Sequence, residues 1–227
     1  MEILTGIPVE LKLEQMLGRL RVGPGSEDAK AVGELLEGAR AVVKPKAMYD
    51  VFFVGEKTTD TVEIGGALFK SRVLRVNLEK AHRAFAYVAT CGRELDEALG
   101  GTDDPLRRYW LEEVKLAALG AAMGFMQQHL EGRYRPGKMS RMNPGSLEDW
   151  PITQQTELFS LLGEVEGRIG VRLTDSYLMV PTKSVSGILF PTEVSFESCR
   201  LCPRKVCPGR QAPYDEKLWE ERYAVRG

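Results

Sequence analysis

The sequence has few histidines, no long apolar run and almost no net charge. Only two of its 227 residues are histidines, and neither stands near a serine or cysteine in a motif, so no hydrolytic triad can be proposed. Lys and Arg total 31 against 32 Asp and Glu, a formal charge of −1, which argues against a general nucleic-acid binder. The longest helical apolar stretch, 116–126, suits a buried core helix and is too short for a membrane span.

Targeting signals and repeats are also missing. The segment Met1–Thr5 lacks the basic region and apolar core of a signal peptide, and no repeat or low-complexity tract occurs. Hydrophobic residues make up 43% and charged residues 28%, which is typical of a soluble globular chain. We therefore expect a cytoplasmic protein whose partners include neither nucleic acid nor a membrane.

Periodicity predicts a mixture of helices and strands. Helical spacing and caps predict helices at 11–20, 26–42, 77–83, 104–130 and 153–167. β-rich segments predict strands at 49–54, 62–68 with a bend at Gly65-Gly66, 84–90, 171–180 and 184–190. Because this order lacks a regular βαβ alternation, we predict an α+β fold with a mixed, largely antiparallel sheet and flanking helices over residues 1–197. A Rossmann-type methyltransferase is disfavoured, since no glycine-rich strand–loop–helix occurs.

Residues 198–227 form a predicted Cys/Pro/Arg-rich tail with a cysteine cluster. Cys199, Cys202 and Cys207 fall within nine positions, close enough for their thiolates to converge on one ion or cluster. No acidic residue occurs between 199 and 210, and the positive charge of the basic residues there stabilises thiolates. Incidental thiols, a structural zinc site and an iron–sulfur cluster are the three interpretations.

Cys91 is the one remaining thiol, and it follows the predicted strand at 84–90. As a metal ligand it would complete a set of four with the tail cysteines. As a structural residue it would be a small buried side chain at the end of a strand. The sequence leaves both interpretations open.

Three motifs follow one another in the second half of the chain. They are Arg141-Met-Asn-Pro-Gly-Ser146, Gly170-Val-Arg-Leu-Thr-Asp-Ser176 and Pro181-Thr-Lys-Ser-Val-Ser-Gly187. In order and spacing they resemble the Arg-x-x-Pro-Gly-Tyr, Gly-x-x-Leu-Thr-[Asp/Glu]-Ser and Pro-x-x-Ser-Val-Ser-Gly motifs of the activation domain of cobalamin-dependent methionine synthase. The tail resembles the C-terminal cysteine cluster of free-standing members of that family.

The resemblance implies reductive reactivation of a corrinoid methyltransferase such as methionine synthase, with this chain acting in trans. A low-potential electron donor would reduce inactive cob(II)alamin, and S-adenosylmethionine would remethylate it. The partners would be a corrinoid-binding methyltransferase module, which supplies the cobalamin, and the electron donor. An iron–sulfur cluster in the tail would relay the electron, whereas a zinc ion would only hold the tail together.

The first motif would hold S-adenosylmethionine if the resemblance extends to function. Arg141 would contact its carboxylate, because a planar guanidinium can meet both oxygens. Asn143 would offer backbone groups, and Pro144 and Gly145 would shape the turn. The alternative for Arg141 is a surface salt bridge, which would contribute little.

Other candidate ligand contacts are less regular. Ser146 stands where the family has Tyr, so Trp150 would either supply the missing aromatic face or be a core residue. Lys183 and Ser184 would line the same cleft or form the polar face of a strand. Because of the lost Tyr, the alternative function is a non-enzymatic module that docks on a corrinoid protein without binding S-adenosylmethionine and uses zinc structurally.

Overall fold

The computed structural model describes residues 1–224 and contains nine strands in that range. They are β1 (Glu2–Leu4), β2 (Lys46–Lys57), β3 (Thr61–Ile64), β4 (Ala67–Lys70), β5 (Arg83–Thr90), β6 (Met139–Met142), β7 (Arg172–Leu173), β8 (Met179–Val180) and β9 (Ser184–Pro191). Seven form one sheet in the order β4-β3-β2-β5-β9-β6, with β1 added beside β2. Every pairing is antiparallel, and β7 and β8 form a separate two-stranded hairpin.

Seven α-helices flank this sheet in the described residues. They are α1 (Leu13–Leu20), α2 (Glu27–Val42), α3 (Arg72–Asn77), α4 (Glu94–Leu99), α5 (Pro105–Tyr134), α6 (Gln155–Leu162) and α7 (Val165–Ile169). Helix α5 begins as predicted, because Asp104 accepts a 2.9 Å hydrogen bond from the Leu106 amide and Pro105 occupies the first helical position. The predicted α+β class with a largely antiparallel sheet is confirmed.

Strand β5 lies at the centre of the sheet and is buried on both faces. Ala84, Ala86 and Val88 face one apolar cluster, which also takes in residues of α3, α6 and α7. Phe85 and Tyr87 face a second cluster, which includes the C-terminal half of α5. A third cluster joins α1, α2, α4 and the start of α5. The continuous apolar run at 84–90 therefore predicts this strand correctly.

Three predicted elements differ from the structure. The helix predicted at 77–83 is wrong: α3 ends at Asn77, and its start is capped by Ser71, which accepts a hydrogen bond from the Leu74 amide. The helix predicted at 153–167 is broken at Gly163, whose φ of 74° is outside the helical range. The strand predicted at 171–180 is instead the β7–β8 hairpin.

The tail packs on the sheet domain. Leu218 and Tyr223 are buried in the same apolar cluster as α3. Arg72 Nε donates to the Tyr223 carbonyl at 3.0 Å, and the Tyr223 hydroxyl lies 3.2 Å from Asn77 Oδ1. The last three residues of the predicted tail, 225–227, lie outside the described residues. Within 1–224 the tail therefore shares the core of the domain and does not form a core of its own.

None of the helices in residues 1–224 is both long enough and apolar enough to span a membrane.

Candidate functional site

Arg141 lies on the edge strand of the sheet with its side chain exposed. Strand β6 pairs with β9 so that Arg141 stands opposite Leu189. Arg141 makes no ion pair with any other residue in 1–224. The surface salt bridge considered from the sequence is therefore not formed within this range, and the guanidinium can meet an anionic group of a ligand.

Asn143 holds the turn that follows β6 against the centre of the sheet. Its Nδ2 atom donates to the Tyr87 hydroxyl at 2.7 Å and to the Ser186 carbonyl at 2.6 Å. Burial raises the pKa of Tyr87, while the hydrogen bond from Asn143 and the nearby Arg141 charge lower it in part. The sequence predicts a ligand role for the Asn143 backbone, whereas the structure shows that its side chain fixes the turn.

Gly187 allows the turn that contains Asn143 to lie close against β9. A Cβ atom at this position would lie 2.4 Å from the Met142 carbonyl oxygen and 2.5 Å from Asn143 Nδ2. Both distances are far below van der Waals contact, so any larger residue would push the turn away from β9. The glycine of the third motif is therefore required by the close approach of the first motif.

The turn after Asn143 leaves two predicted ligand-binding residues at the surface. Pro144 is buried, whereas Gly145 and Ser146 are exposed. The Gly145 amide donates to the Trp150 carbonyl at 2.8 Å, and the Ser146 amide donates to the Asn143 carbonyl at 3.1 Å. Gly145 has a φ of 82°, a left-handed conformation that favours glycine.

Trp150 is fully buried beneath this turn. Its ring packs edge-on against Phe69 at a centroid distance of 6.1 Å, and its Nε1 atom donates to Gln154 Oε1 at 3.1 Å. A side chain in this position presents no aromatic face to a ligand. Its burial favours the alternative that Trp150 is a core residue.

Two polar side chains that the sequence analysis does not single out anchor the same loop. Asp149 accepts hydrogen bonds from the Ser71 hydroxyl and from the amides of Arg72, at 3.2 Å, and Val73, at 3.0 Å, at the start of α3. The Gln154 side chain bonds both the amide and the carbonyl of Lys70, at 2.9 Å and 3.0 Å. No local sequence signal identifies these anchors, because their partners lie far away in the chain.

Lys183 and Ser184 lie at the other end of β9 from Arg141. Leu189, the partner of Arg141, lies five positions after Ser184, which is about 16 Å along a strand. Ser184 Oγ lies 2.9 Å from Thr90 Oγ1 and 2.7 Å from the Pro181 carbonyl oxygen. The structure therefore does not bring these two residues together with Arg141.

Lys183 instead belongs to an ion-pair network with α5. Its Nζ atom lies 3.0 Å from a carboxylate oxygen of Glu112, which also pairs with Lys115. Burial by itself would raise the pKa of Glu112, but the hydrogen bonds from Lys115 and Lys183 hold it below its usual value. Lys115 also pairs with Asp96 of α4, so the network ties two helices to the start of β9.

Arg210 organises the cysteine loop of the tail. Its guanidinium donates to the carbonyls of Cys199 at 3.1 Å and Cys202 at 3.2 Å, and also to those of Arg204 and Ala212. The Gln211 amide donates a hydrogen bond to the Cys199 sulfur at 3.4 Å. The donor chemistry suits a metal, but within 1–224 no three His, Cys, Asp or Glu side chains are grouped to hold one.

Cys91 lies apart from this loop. It is buried in the cluster of α1, α2, α4 and α5, whereas Leu201 of the tail packs on the cluster of α3 and α6. Burial raises the pKa of the Cys91 thiol to about 12, and the thiol donates to the Gly92 carbonyl at 3.3 Å. These surroundings favour the structural interpretation of Cys91.

Comparison with known proteins identifies the segment that carries the site. Residues 138–197 match the family described as vitamin B12 dependent methionine synthase, activation domain. This match confirms, over that segment, the resemblance drawn from the three motifs. No curated protein matches the chain.

A solved structure shares the fold over most of the chain. It is the crystal structure of the MetH reactivation domain bound to AdoHcy, with a TM-score of 0.63 and 17% sequence identity. The alignment covers 87% of this chain and 81% of that chain. At this identity the similarity establishes the common fold.

Proposed function

We propose that this chain reactivates a corrinoid methyltransferase in trans by supporting S-adenosylmethionine-dependent remethylation of its cobalamin. The observation that carries the proposal is the family match over residues 138–197, which contains Arg141, the anchored turn and β9. The solved relative with the same fold is bound to AdoHcy, the demethylated product of S-adenosylmethionine.

The proposed reaction has two steps, a one-electron reduction and a methyl transfer. A low-potential donor adds one electron to cob(II)alamin and forms cob(I)alamin. The cobalt electron pair then attacks the sulfonium methyl group: a Co–C bond forms, the S–CH3 bond breaks, and S-adenosylhomocysteine leaves. The cofactors supply this chemistry, so the protein contributes position and electrostatics.

In this proposal Arg141 pairs with the carboxylate of S-adenosylmethionine. An exposed guanidinium without an ion-pair partner in 1–224 loses no existing contact when it binds an anion. The neighbouring turn is held by Asn143 and Asp149 before any ligand arrives, so little conformational entropy is lost on binding. Lys183 and Ser184 play no direct part, since they lie at the far end of β9.

Titration calorimetry with S-adenosylmethionine tests this proposal. We expect binding to the unaltered chain and a loss of affinity of about 10-fold or more in Arg141→Ala, since a charge-assisted pair is removed. Arg141→Lys is the matched variant, and it should bind with intermediate affinity because it keeps the charge without the planar fork. No heat at millimolar ligand would favour the alternative, a docking module that has lost S-adenosylmethionine binding.

We also propose that Cys199, Cys202 and Cys207 draw together around a metal when one binds, since within residues 1–224 they are not grouped to hold one beforehand. The ordering of their loop by Arg210 and the amide donated to the Cys199 sulfur support this proposal. An iron–sulfur cluster there would supply a one-electron couple, whereas zinc would supply only cross-linking. Metal analysis and visible spectra of anaerobically purified protein separate the two, and a protein with neither iron nor zinc would contradict both.

A further inference from the structure

A cavity of about 630 Å3 lies where the end of β2, the start of α3 and the tail meet. This volume is within the range of small-molecule sites, about 300–1,000 Å3. Three separate segments give it four half-buried cationic side chains: Lys57 of β2, Arg72 and Arg75 of α3, and Arg222 of the tail. The tail therefore completes a concavity, here called the cationic cavity, that β2 and α3 alone would leave open.

The positive charges of the cationic cavity are only partly neutralised. Within residues 1–224 the carboxylate that lines it is Glu221, and Glu79 pairs with Arg75 beside it. With both of these carboxylates counted, two positive charges remain in excess. Cationic groups that share one cavity repel one another, so an anion bound between them would relieve the repulsion.

Neutral oxygen atoms hold two of the guanidinium groups in place. Arg72 donates from Nη1 to the Thr59 carbonyl and from Nε to the Tyr223 carbonyl, the latter at 3.0 Å. Arg222 Nη2 donates to Asn77 Oδ1 at 3.1 Å. These bonds position the guanidinium groups without neutralising them, and a guanidinium has more N–H donors than such bonds use. The cationic cavity therefore presents charged donors that are already placed for an oxyanion.

The lining favours a phosphate group among anionic ligands. An excess of two positive charges matches a phosphate group, which carries a charge of about −1.5 to −2 at pH 7. Planar guanidinium groups also match the spacing of phosphate oxygens. No aromatic side chain of residues 1–224 lines the cavity, so none of them would stack on a nucleotide base.

We infer that the cationic cavity binds a phosphate group, either inorganic phosphate or the phosphate end of a small ester, through Lys57, Arg72 and Arg222. The inference goes beyond the proposed function, which uses Arg141 and no residue of this cavity. A bound phosphate would join the tail to β2 and α3, so it would stabilise the folded chain in proportion to its occupancy.

Thermal unfolding and calorimetry of the full chain with inorganic phosphate test the inference. We expect a rise in Tm that saturates with phosphate, whereas sodium chloride at equal ionic strength should give no saturable rise. Lys57→Gln and Arg222→Gln should each weaken phosphate binding by about 5- to 10-fold, because each removes a charged donor. Arg222→Lys should keep most of the affinity, since it keeps the charge. Lys30→Gln, at an exposed lysine of α2 that does not line the cavity, is the matched control and should change nothing.

Glycerol 3-phosphate, compared with inorganic phosphate, identifies the source of the phosphate group. Tighter binding of the ester would support the inference and assign the cavity to a small phosphate ester. Equal or weaker binding of the ester would support it and assign the cavity to inorganic phosphate.

Three results would overturn the inference. One is the absence of saturable stabilisation by either phosphate compound. Another is an unchanged affinity in both Lys57→Gln and Arg222→Gln. The third is a loss of phosphate affinity in Arg141→Ala while Lys57→Gln binds normally, since the anion would then lie at the candidate ligand site.

Two controls keep these outcomes distinct. Thermal unfolding of each variant without ligand shows whether the tail remains folded, and Lys57→Gln tests the cavity by a change outside the tail. S-adenosylmethionine binding is measured separately, so the proposed function stands or fails independently of the phosphate result.

Discussion

The side-chain amide of Asn143 and the buried hydroxyl of Tyr87 lie 2.7 Å apart, and this contact joins the turn after β6 to the central strand of the sheet. A buried tyrosine hydroxyl needs a hydrogen-bond partner, and here the partner comes from a surface turn. The same amide reaches the Ser186 carbonyl on the intervening strand. The position of the candidate ligand site is therefore set by the core.

Removal of the Asn143 side chain should destabilise the protein. We expect Asn143→Ala to lower the free energy of unfolding by about 1–3 kcal/mol, because the Tyr87 hydroxyl loses its partner while it stays buried. In urea denaturation, a double-mutant cycle with Tyr87→Phe should give a coupling of about 1 kcal/mol or more. Additive effects of the two substitutions would contradict the contact.

A side chain at position 187 should be poorly tolerated. Gly187→Ala would place a Cβ 2.4 Å from the Met142 carbonyl, so we expect a loss of about 3 kcal/mol of stability. Gly33→Ala is the control, since a Cβ there meets no atom within 4 Å and lies in the interior of α2. It should stabilise by about 0.5–1 kcal/mol. Equal effects of the two substitutions in chemical denaturation would contradict the close approach.

The Glu112 network should make stability depend on acidic pH. Because the folded-state pKa of Glu112 lies below its ordinary value near 4.5, its contribution to stability is present above that pH and is lost as the pH falls through the folded value. Glu112→Gln should therefore lose stability at pH 7 and show a smaller further loss below about pH 4.5. Thermal unfolding across pH 3–7 measures this, with Glu113→Gln as the control. Parallel curves for Glu112→Gln and the unaltered chain would contradict the network.

The four cysteines should differ in reactivity. Cys91 is fully buried with a thiol pKa of about 12, whereas the tail cysteines are half-buried. In native protein treated with a chelator, iodoacetamide should modify Cys199, Cys202 and Cys207 first and reach Cys91 only on unfolding. Peptide mass spectrometry measures the order. Modification of Cys91 as fast as Cys207 would contradict its burial.

Local patterns predict the elements whose causes are local. The apolar run at 84–90 and the Asp104–Pro105 cap predict β5 and the start of α5, and the motifs that begin at Arg141 predict the family match over residues 138–197. The start of α3 carries a local signal in the Ser71 cap, but the Asp149 side chain that also accepts from its first amides is distant in sequence, and no local pattern indicates it.

The structure brings only some of the predicted ligand residues to one surface, because tertiary contacts that no local pattern indicates decide where the others lie. Arg141 and Ser146 are exposed, so a ligand could reach them, and their predicted ligand role stays a prediction. Lys183 is instead held by Glu112, and Trp150 is buried against Phe69. Residue type suggests a ligand role for Lys183 and Trp150, but their tertiary partners decide where they point. The contribution of Arg222 to the cationic cavity depends on how the tail packs, which no local pattern indicates.

Methyl transfer to the corrinoid tests the central claim most directly. A corrinoid methyltransferase in its cob(II)alamin state is mixed with a low-potential reductant, S-adenosylmethionine and this chain, and the visible spectrum is followed. We predict conversion of cob(II)alamin to methylcobalamin that requires the chain and is slowed about 10-fold or more in Arg141→Ala. Methylcobalamin that forms at the same rate with and without the chain would contradict the claim.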